Sequence, residues 1–256
     1  MSDMKYAALV TGGSKRIGKS ISKKLASENR NVIIHYNKSK KEALELCKEL
    51  NKNSKIISIA VQADLNKPNQ VIKIFNDLKK KSIIVDCLIN NASTFSYDNL
   101  KNMTANTWNN HIVPNLYAPL MLSKEFVKAL PSKKNGNIFN IIDQRVLNLT
   151  PHFLSYTASK SGLWTMTKTL ALELAPKIRV NAIGPGPTIK SKFQTDEEFK
   201  SQCKSLPLQK GAKPEQVAET ISFLLKVNSI TGQMIALDGG QHLGWGQVNN
   251  KTKVLD

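Results

Sequence analysis

Short apolar runs alternate with amphipathic, helix-like stretches along almost the whole chain. The apolar runs lie at 5–11, 31–36, 56–62, 83–89, 138–142, 178–183 and 232–240. Neighbouring parallel strands need a crossover of a dozen or more residues, and the stretches between these runs are helical crossovers of that kind. The alternation therefore predicts an α/β fold, a doubly wound parallel β-sheet of about seven strands with helices on both faces.

Few positions along the chain are suited to a domain boundary. No linker-like composition interrupts residues 5–243, so we expect a single domain over 1–256. Residues 188–212 are polar and irregular, with a short acidic helix near 195–203. Because an irregular stretch of this length inside a compact domain is usually functional, we expect a substrate-binding loop at 188–212. Residues 246–256 are expected to form a loose tail.

The formal net charge of +18 raises the question of a nucleic-acid partner. The lysines are scattered over several amphipathic helices rather than gathered in one basic arm, so we do not expect nucleic acid to bind. No apolar run approaches the roughly 20 residues of a membrane span. The three cysteines show neither disulfide nor metal-ligand spacing, so we expect a cytoplasmic protein without a metal site.

The first apolar run leads into a glycine turn, Gly12-Gly13-Ser14-Lys15-Arg16-Ile17-Gly18, and then into a helical pattern. Strand, glycine turn and helix in this order are typical of a dinucleotide site, because the helix N-terminus presents free N–H groups to a pyrophosphate. Gly12 would permit the tight turn, and Gly18 would let the helix pack close to the strand.

The end of the second apolar run indicates which dinucleotide is bound. An NAD site usually carries an acid there for the ribose hydroxyls, but this run ends in His35-Tyr36-Asn37-Lys38-Ser39. An ammonium and a hydroxyl suit a 2′-phosphate, and Arg16 would supply a second cation. We therefore expect NADP(H). Asp64, just past the third run, either caps a turn or hydrogen-bonds an adenine.

Tyr156 and Lys160 are four residues apart on a helix predicted from about 154 to 175, so they share one face. A phenol beside an ammonium can transfer a proton, because the cation stabilises the phenolate. Asp143 follows the fifth apolar run, at the sheet edge where ligands bind. Asn115 follows Pro114, which signals a break in a helix predicted over 104–130. It is either a capping or kink residue or a partner of Lys160 or of a water.

Together these motifs resemble the short-chain dehydrogenases/reductases in order and spacing over nearly the whole chain. The matching elements are Thr11-Gly12-x-x-x-Arg16-x-Gly18, Asn90-Asn91-Ala92, Asn115, Tyr156-x-x-x-Lys160, Asn181 with Gly184-Pro185-Gly186, and Asp238-Gly239-Gly240. The resemblance implies a Rossmann-like fold, a nicotinamide cofactor and an oligomer, of which we expect a homotetramer.

Two departures from the general family pattern narrow the resemblance. Arg16 stands where the family usually has Gly, and Asp143 where it usually has Ser. Together with the segments 35–39, 61–65 and 91–95, the last of which ends in Phe95, these residues look like the pteridine reductases. The ending Leu237-Asp238-Gly239-Gly240-Gln241-His242-Leu243 is similar to that of the related dihydromonapterin reductases. That similarity implies that Arg16 contacts the cofactor phosphates and the pterin. It also implies that Phe95 stacks on the pterin opposite the nicotinamide, with Ser93 beside both.

The resemblance implies a role for a larger set of residues. The catalytic set is Asp143, Tyr156, Lys160 and Asn115, and the substrate set is Arg16, Ser93, Phe95, Asp143 and Tyr156. The cofactor contacts are Gly12, Ser14, Arg16, Ile17, Gly18, Asn37, Lys38, Ser39, Asp64, Leu65, Asn91, Ala92, Ser93, Tyr156, Lys160, Pro185, Gly186 and Thr188.

Asp143 changes the expected proton chemistry. A serine would hydrogen-bond a substrate carbonyl, whereas a carboxylate repels a developing oxyanion and accepts from pterin N–H groups and from Tyr156. The carboxylate also opposes Lys160, which keeps the phenol protonated and ready to donate.

We therefore expect NADPH-dependent reduction of a dihydropteridine-, dihydromonapterin- or biopterin-like pterin to its tetrahydro form. The hydride would come from nicotinamide and the proton from Tyr156. Two alternatives stay open. One is a carbonyl reductase such as a 3-oxoacyl-carrier-protein reductase. The other is a non-catalytic dinucleotide-binding or nucleic-acid-binding protein.

Overall fold

The computed structural model describes residues 5–244, and a seven-stranded parallel sheet runs through it. The strands are β1 (Tyr6–Val10), β2 (Asn31–Tyr36), β3 (Ser58–Gln62), β4 (Ile84–Asn90), β5 (Gly136–Ile141), β6 (Ile178–Pro185) and β7 (Met234–Leu237). Their order in the sheet is β3-β2-β1-β4-β5-β6-β7. The chain thus starts in the middle and winds outward first one way and then the other, which confirms the predicted doubly wound α/β fold.

Helices connect the strands and cover both faces of the sheet. They are α1 (Arg16–Ser27), α2 (Lys40–Leu50), α3 (Pro68–Lys80), α4 (Ala105–Ile112), α5 (Ala118–Ala129), α6 (Leu154–Leu174), α7 (Asp196–Lys204) and α8 (Pro214–Lys226). Within residues 5–244, none of them is long and apolar enough to cross a membrane.

Two large hydrophobic clusters, one on each face of the sheet, form most of the core, and Ile142, Leu163 and Ala182 form a third, smaller one. Successive strand residues point to opposite faces, so Leu9 belongs to one cluster and its neighbour Val10 to the other. Ile33 and Ile34 divide in the same way. All four side chains are fully buried. Each contributes about 1.5–3 kcal/mol of apolar burial, which holds the strand ends rigid where the functional residues lie.

The predicted break at Pro114 takes the form of a π-helical turn. Residues Val113–Tyr117 form this turn, and it joins α4 to α5 without an interruption of the helical path. Proline has no backbone N–H to donate, and π turns of this kind are often found at functional sites. The turn carries Asn115 at its centre and buries it completely.

The ligand side of the sheet lies where β1 and β4 are neighbours, because the winding direction reverses between them. Asn91, which follows β4, ties the two strand ends together. Its side-chain amide donates to the carbonyl of Thr11 at 2.8 Å. The backbone N–H of Ala92 donates to the Thr11 hydroxyl at 3.0 Å.

The expected loop at 188–212 is irregular except for α7, close to the predicted acidic helix. Thr195 and Glu198 cap α7 reciprocally, each side chain accepting the other's backbone N–H at 3.2 and 2.7 Å respectively. The tail predicted at 246–256 lies outside the described residues, so the single domain over 1–256 stays a prediction.

Candidate active site

Asp143 and Tyr156 come together at the carboxyl end of β5. Asp143 caps a 3₁₀ turn over Gln144–Val146, where its Oδ1 accepts the backbone N–H of Arg145 at 2.8 Å. Its Oδ2 accepts the Tyr156 hydroxyl at 3.0 Å, across 13 residues of sequence. The carboxylate is thus held from one side and faces the phenol with the other.

Lys160 lies one helical turn beyond Tyr156 and is almost completely buried. Its Nζ donates to the carbonyl of Ile141 at 2.9 Å and lies 5.7 Å from the centroid of the Tyr156 ring. Burial lowers the pKa of Lys160 to about 8, although the nearby Asp143 carboxylate raises it. The ammonium therefore loses its proton at a pH close to neutral, and it interacts with both the Asp143 carboxylate and the Tyr156 ring.

The partners of Asn115 differ from one of the predicted alternatives. Its Oδ1 accepts the backbone N–H of Thr94 at 2.8 Å and the hydroxyl of Ser93 at 3.1 Å. Its Nδ2 donates to the Thr94 carbonyl at 3.0 Å and to Ser159 Oγ at 3.2 Å. Among the described residues, Asn115 makes no hydrogen bond to Lys160, so the alternative of a direct partner gains no support, whereas the alternative of a bridging water stays open. The amide uses these hydrogen bonds to join the segment that follows β4 to helix α6.

The glycine turn has no room for a side chain at Gly18 and disfavours one at Gly12. Gly12 has a φ of +60°, which favours glycine, and a Cβ on Gly18 would lie 2.2 Å from the Gly12 carbonyl oxygen. The His35 side chain, at the end of β2, holds the turn by hydrogen bonding to Gly12. Its Nδ1 accepts the Gly12 N–H at 3.2 Å, so its Nε2 carries the proton and donates to the Ala63 carbonyl at 3.1 Å. Burial lowers the pKa of His35 to about 4, which keeps it neutral.

Arg16 adopts a left-handed backbone conformation with a φ of +51°. This explains in physical terms why glycine is usual at this position, since a side chain there costs about 1–2 kcal/mol. The exposed guanidinium donates to the carbonyls of Ile189 and Lys190 at 3.2–3.3 Å. Arg16 therefore joins the glycine turn to the start of the 188–212 loop.

The residues after β2 form the most open part of the site. Lys38 is exposed, and Ser39 Oγ lies 3.0 Å from Ser14 Oγ. Glu42, the nearest acid in the sequence, lies within α2 and forms an ion pair with Lys15 at 2.6 Å. The end of the strand thus offers a cation and hydroxyl groups, and Asp64 from the next strand end lies beside them, where it accepts the Asn37 amide at 3.4 Å.

Phe95 belongs to an aromatic cluster beside Tyr156. Its ring stacks on Phe153 with centroids 4.5 Å apart and meets the Tyr156 ring edge-on at 4.8 Å. Phe193, from the 188–212 loop, lies 6.2 Å away. One face of Phe95 is thus covered by protein, and the residue also lines the neighbouring cavity.

A cavity of about 820 Å³ joins these groups along the carboxyl ends of the strands. Every residue predicted to contact cofactor or substrate lines it, whereas Asn115 lies behind its wall. Their individual binding roles stay predictions. Further side chains from the 188–212 loop and the segment after Asp143 line the cavity without any sequence motif that marks them: Gln144, Arg145, Lys192, Gln194, Phe199 and Gln202.

A sheet of this topology defines a Rossmann-type oxidoreductase when it carries a glycine turn at one end of a cavity and a Tyr–Lys pair at the other. Residues 6–200 match the family model for short chain dehydrogenases. The chain belongs to the short-chain dehydrogenase family.

Proteins of different activities are similar to this chain by sequence and by structure. By sequence, the chain is 31% identical over 245 residues to the 3-oxoacyl-[acyl-carrier-protein] reductase FabG of Staphylococcus epidermidis, covering 94% of this chain and 100% of the relative. The FabG of Buchnera aphidicola is also 31% identical, over 250 residues, with 95% and 100% covered.

By structure, the chain is similar to FolM alternative dihydrofolate reductase 1 from Brucella suis, solved in complex with NADP. The TM-score is 0.90 with 43% identity, covering 95% of this chain and 97% of that one. A blue fluorescent protein from a metagenomic library, in complex with NADPH, has a TM-score of 0.84 with 28% identity, covering 92% and 97%.

Proposed function

We propose that this chain is an NADP(H)-dependent reductase that converts a pterin to its tetrahydro form. The observation that carries the proposal is the 3.0 Å hydrogen bond from the Tyr156 hydroxyl to the Asp143 carboxylate. A carbonyl substrate needs a hydrogen-bond donor beside the tyrosine, whereas Asp143 is an acceptor. An acceptor suits the N–H edges of a nitrogen heterocycle. The similarity to FolM from Brucella suis supports the same reading.

The residues of the glycine turn fit a dinucleotide. The Gly12 carbonyl fills the space that a Cβ at Gly18 would need, so the helix packs directly against the turn. Gly12, Ser14 and Ile17 of the turn line the cavity at the start of α1, where backbone N–H groups of a helix N-terminus suit a pyrophosphate. Lys38, Ser39 and Arg16 line the same cavity and would hold a 2′-phosphate and the pyrophosphate. The nicotinamide of such a cofactor would supply the hydride.

Tyr156 and its two charged neighbours would manage the proton. Tyr156 donates its O–H to Asp143, so it is in the protonated form that can donate to a ring nitrogen. Lys160 lies beneath the phenol and would stabilise the phenolate left behind. Asp143 would accept an N–H of the substrate and hold the ring in register with Tyr156.

Phe95 would provide the surface on which a flat substrate lies. Phe153 covers one face of the Phe95 ring, and Phe95 meets the Tyr156 ring edge-on. A pterin stacked on Phe95 would therefore lie next to the phenolic oxygen. Stacking of this kind is worth about 0.5–1.5 kcal/mol beyond the area it buries.

The second candidate is a 3-oxoacyl-carrier-protein reductase, which the FabG relatives favour through their full-length match. Asp143 opposes this candidate, because a carboxylate hydrogen-bonded to Tyr156 would repel an oxyanion that develops at the same place.

NADPH oxidation should be followed by its absorbance with dihydrobiopterin, dihydromonapterin, dihydrofolate and an acetoacetyl thioester in parallel, and with NADH in place of NADPH. We expect turnover with a dihydropterin and NADPH. Turnover with the thioester alone would overturn the proposal in favour of the second candidate. If no substrate is turned over and the protein retards DNA in a gel mobility-shift assay in a salt-dependent way, the nucleic-acid-binding alternative is indicated.

A further inference from the structure

The helix that carries Tyr156 begins without a side-chain cap from its own N-cap residue. That residue, Phe153, has a left-handed φ of +58°, and the first turn of α6 contains no acidic residue. A helix start leaves several backbone N–H groups without partners inside the helix, and burying them unpaired is costly. Another part of the chain has to satisfy these groups just upstream of Tyr156.

Asp98, in the segment after β4, provides the missing acceptors. Its main-chain carbonyl accepts the N–H groups of Phe153 and Leu154 at 2.9 and 3.3 Å. Its carboxylate accepts the N–H of Ser155 at 3.2–3.3 Å and also the Ser155 hydroxyl. Asp98 is 1% exposed. One residue thus holds the three positions immediately before Tyr156, from 57 residues away in sequence.

His111, on α4, determines which group donates in the hydrogen bond between Ser155 and Asp98. The backbone N–H of Ser96 donates to His111 Nε2 at 3.1 Å, so that nitrogen carries no proton. The other nitrogen, Nδ1, therefore donates to Ser155 Oγ at 2.6 Å. Because Ser155 Oγ accepts from His111, its own hydrogen is directed to Asp98. The His111 ring also meets the Tyr156 ring edge-on at 5.9 Å.

We propose that Asp98 is a positioning residue for both the proton donor and the stacking surface. Through Ser155 it sets the place of Tyr156 on α6, and through the backbone of Phe153 it sets the ring against which Phe95 stacks. This inference rests on the proposed reductase function. An error of about 1 Å in such groups can cost roughly 100-fold in rate.

The test compares Asp98→Asn with a matched buried carboxylate. The substitution keeps the size of the side chain but replaces one carboxylate oxygen by an NH₂ donor. Separate oxygens can then no longer accept the Ser155 hydroxyl and the Ser155 N–H, so the chain of hydrogen bonds from His111 is disturbed. We expect Asp98→Asn to lower kcat about 10- to 100-fold with NADPH affinity unchanged.

Asp86→Asn is the control for the loss of a buried carboxylate. Asp86 lies in β4, away from Tyr156, and is 8% exposed. Its carboxylate forms an ion pair with Arg30 at 2.5 Å. This variant should lower Tm and leave kcat unaltered.

A second readout does not depend on turnover. The ionisation of the Tyr156 phenol is followed by ultraviolet difference titration, with the Tyr156→Phe spectrum subtracted. The pH at the midpoint of this titration should differ from wild type in Asp98→Asn and equal the wild-type value in Asp86→Asn. If wild-type protein reduces no pterin, the proposed function fails and this titration alone decides the positioning role.

Ser155→Ala, which removes the same link from the other side, serves if Asp98→Asn does not fold, and it should reproduce the loss in kcat and the moved midpoint. A wild-type kcat and midpoint in the folded variant would overturn the proposal. Equal losses of kcat in Asp98→Asn and Asp86→Asn would also overturn it.

Discussion

Replacement of Asp143 by serine is the perturbation that separates the two candidate reactions most sharply. Asp143 accepts two hydrogen bonds, from the Arg145 backbone and from Tyr156. A serine hydroxyl can still accept from the Arg145 N–H, because serine is a good capping residue, so the 3₁₀ turn should survive. The variant loses the charged acceptor that faces Tyr156 and the cavity.

The size of the effect follows from the hydrogen bond that is lost in the transition state. The Tyr156 proton moves to the substrate there, so the bond at stake is the one from a substrate N–H to the Asp143 carboxylate, and a hydrogen bond to a charged group is worth about 1.5–3 kcal/mol. A loss of roughly 1.5–3 kcal/mol lowers the rate by about 10- to 10²-fold. The dinucleotide-binding turn is not touched, so we expect NADPH affinity to change less than about threefold, which is under about 1 kcal/mol.

The assay measures kcat/KM with dihydropterin and with an acetoacetyl thioester, and NADPH affinity by fluorescence titration. Asp143→Asn is the control for shape, since it keeps the cap and the volume but removes the charge, and it should lose nearly as much pterin activity. A gain of thioester activity in Asp143→Ser would further support the assigned role. Equal pterin reduction by wild type and Asp143→Ser would refute the reasoning.

Three further predictions concern the cofactor end, the lysine and the glycine turn. Lys38→Ala should weaken NADPH binding about fivefold, the worth of an exposed ion pair, and leave NADH binding unchanged; paired fluorescence titrations measure both. Because the pKa of Lys160 is lowered to about 8, kcat/KM should fall as pH rises through about 8 and the ammonium is lost. In Lys160→Arg the residual activity should lack this limb, since arginine stays protonated. The pKa of buried His35 is lowered from 6.5 to about 4, so the unfolded state binds its proton first and stability falls as pH drops through this window. Urea unfolding should show a loss of about 2 kcal/mol between about pH 7 and pH 5 that His35→Asn removes; an unchanged pH slope in the variant would count against the role of His35.

The architecture and the proximity of Tyr156 to Lys160 could be predicted from local sequence patterns. Apolar runs of strand length separated by helical crossovers predict a parallel sheet, and a spacing of four places Tyr156 and Lys160 on one helical face. The strand-end residues also meet as expected, since the carboxyl ends of parallel strands share one edge. Periodicity and strand order carry this information without reference to side-chain packing.

The supports of the site were decided only by tertiary structure. The partners of Asn115 are Thr94 and Ser159 rather than Lys160, and Asp98, His111 and Ser155 join across 44 and 57 residues of sequence. No spacing rule connects a loop, a helix and the start of another helix, because their contact depends on how three elements pack. Sequence alone predicted that Tyr156 and Lys160 lie side by side on one helix. The network that holds Tyr156 in place exists only because buried polar groups from distant elements must satisfy one another.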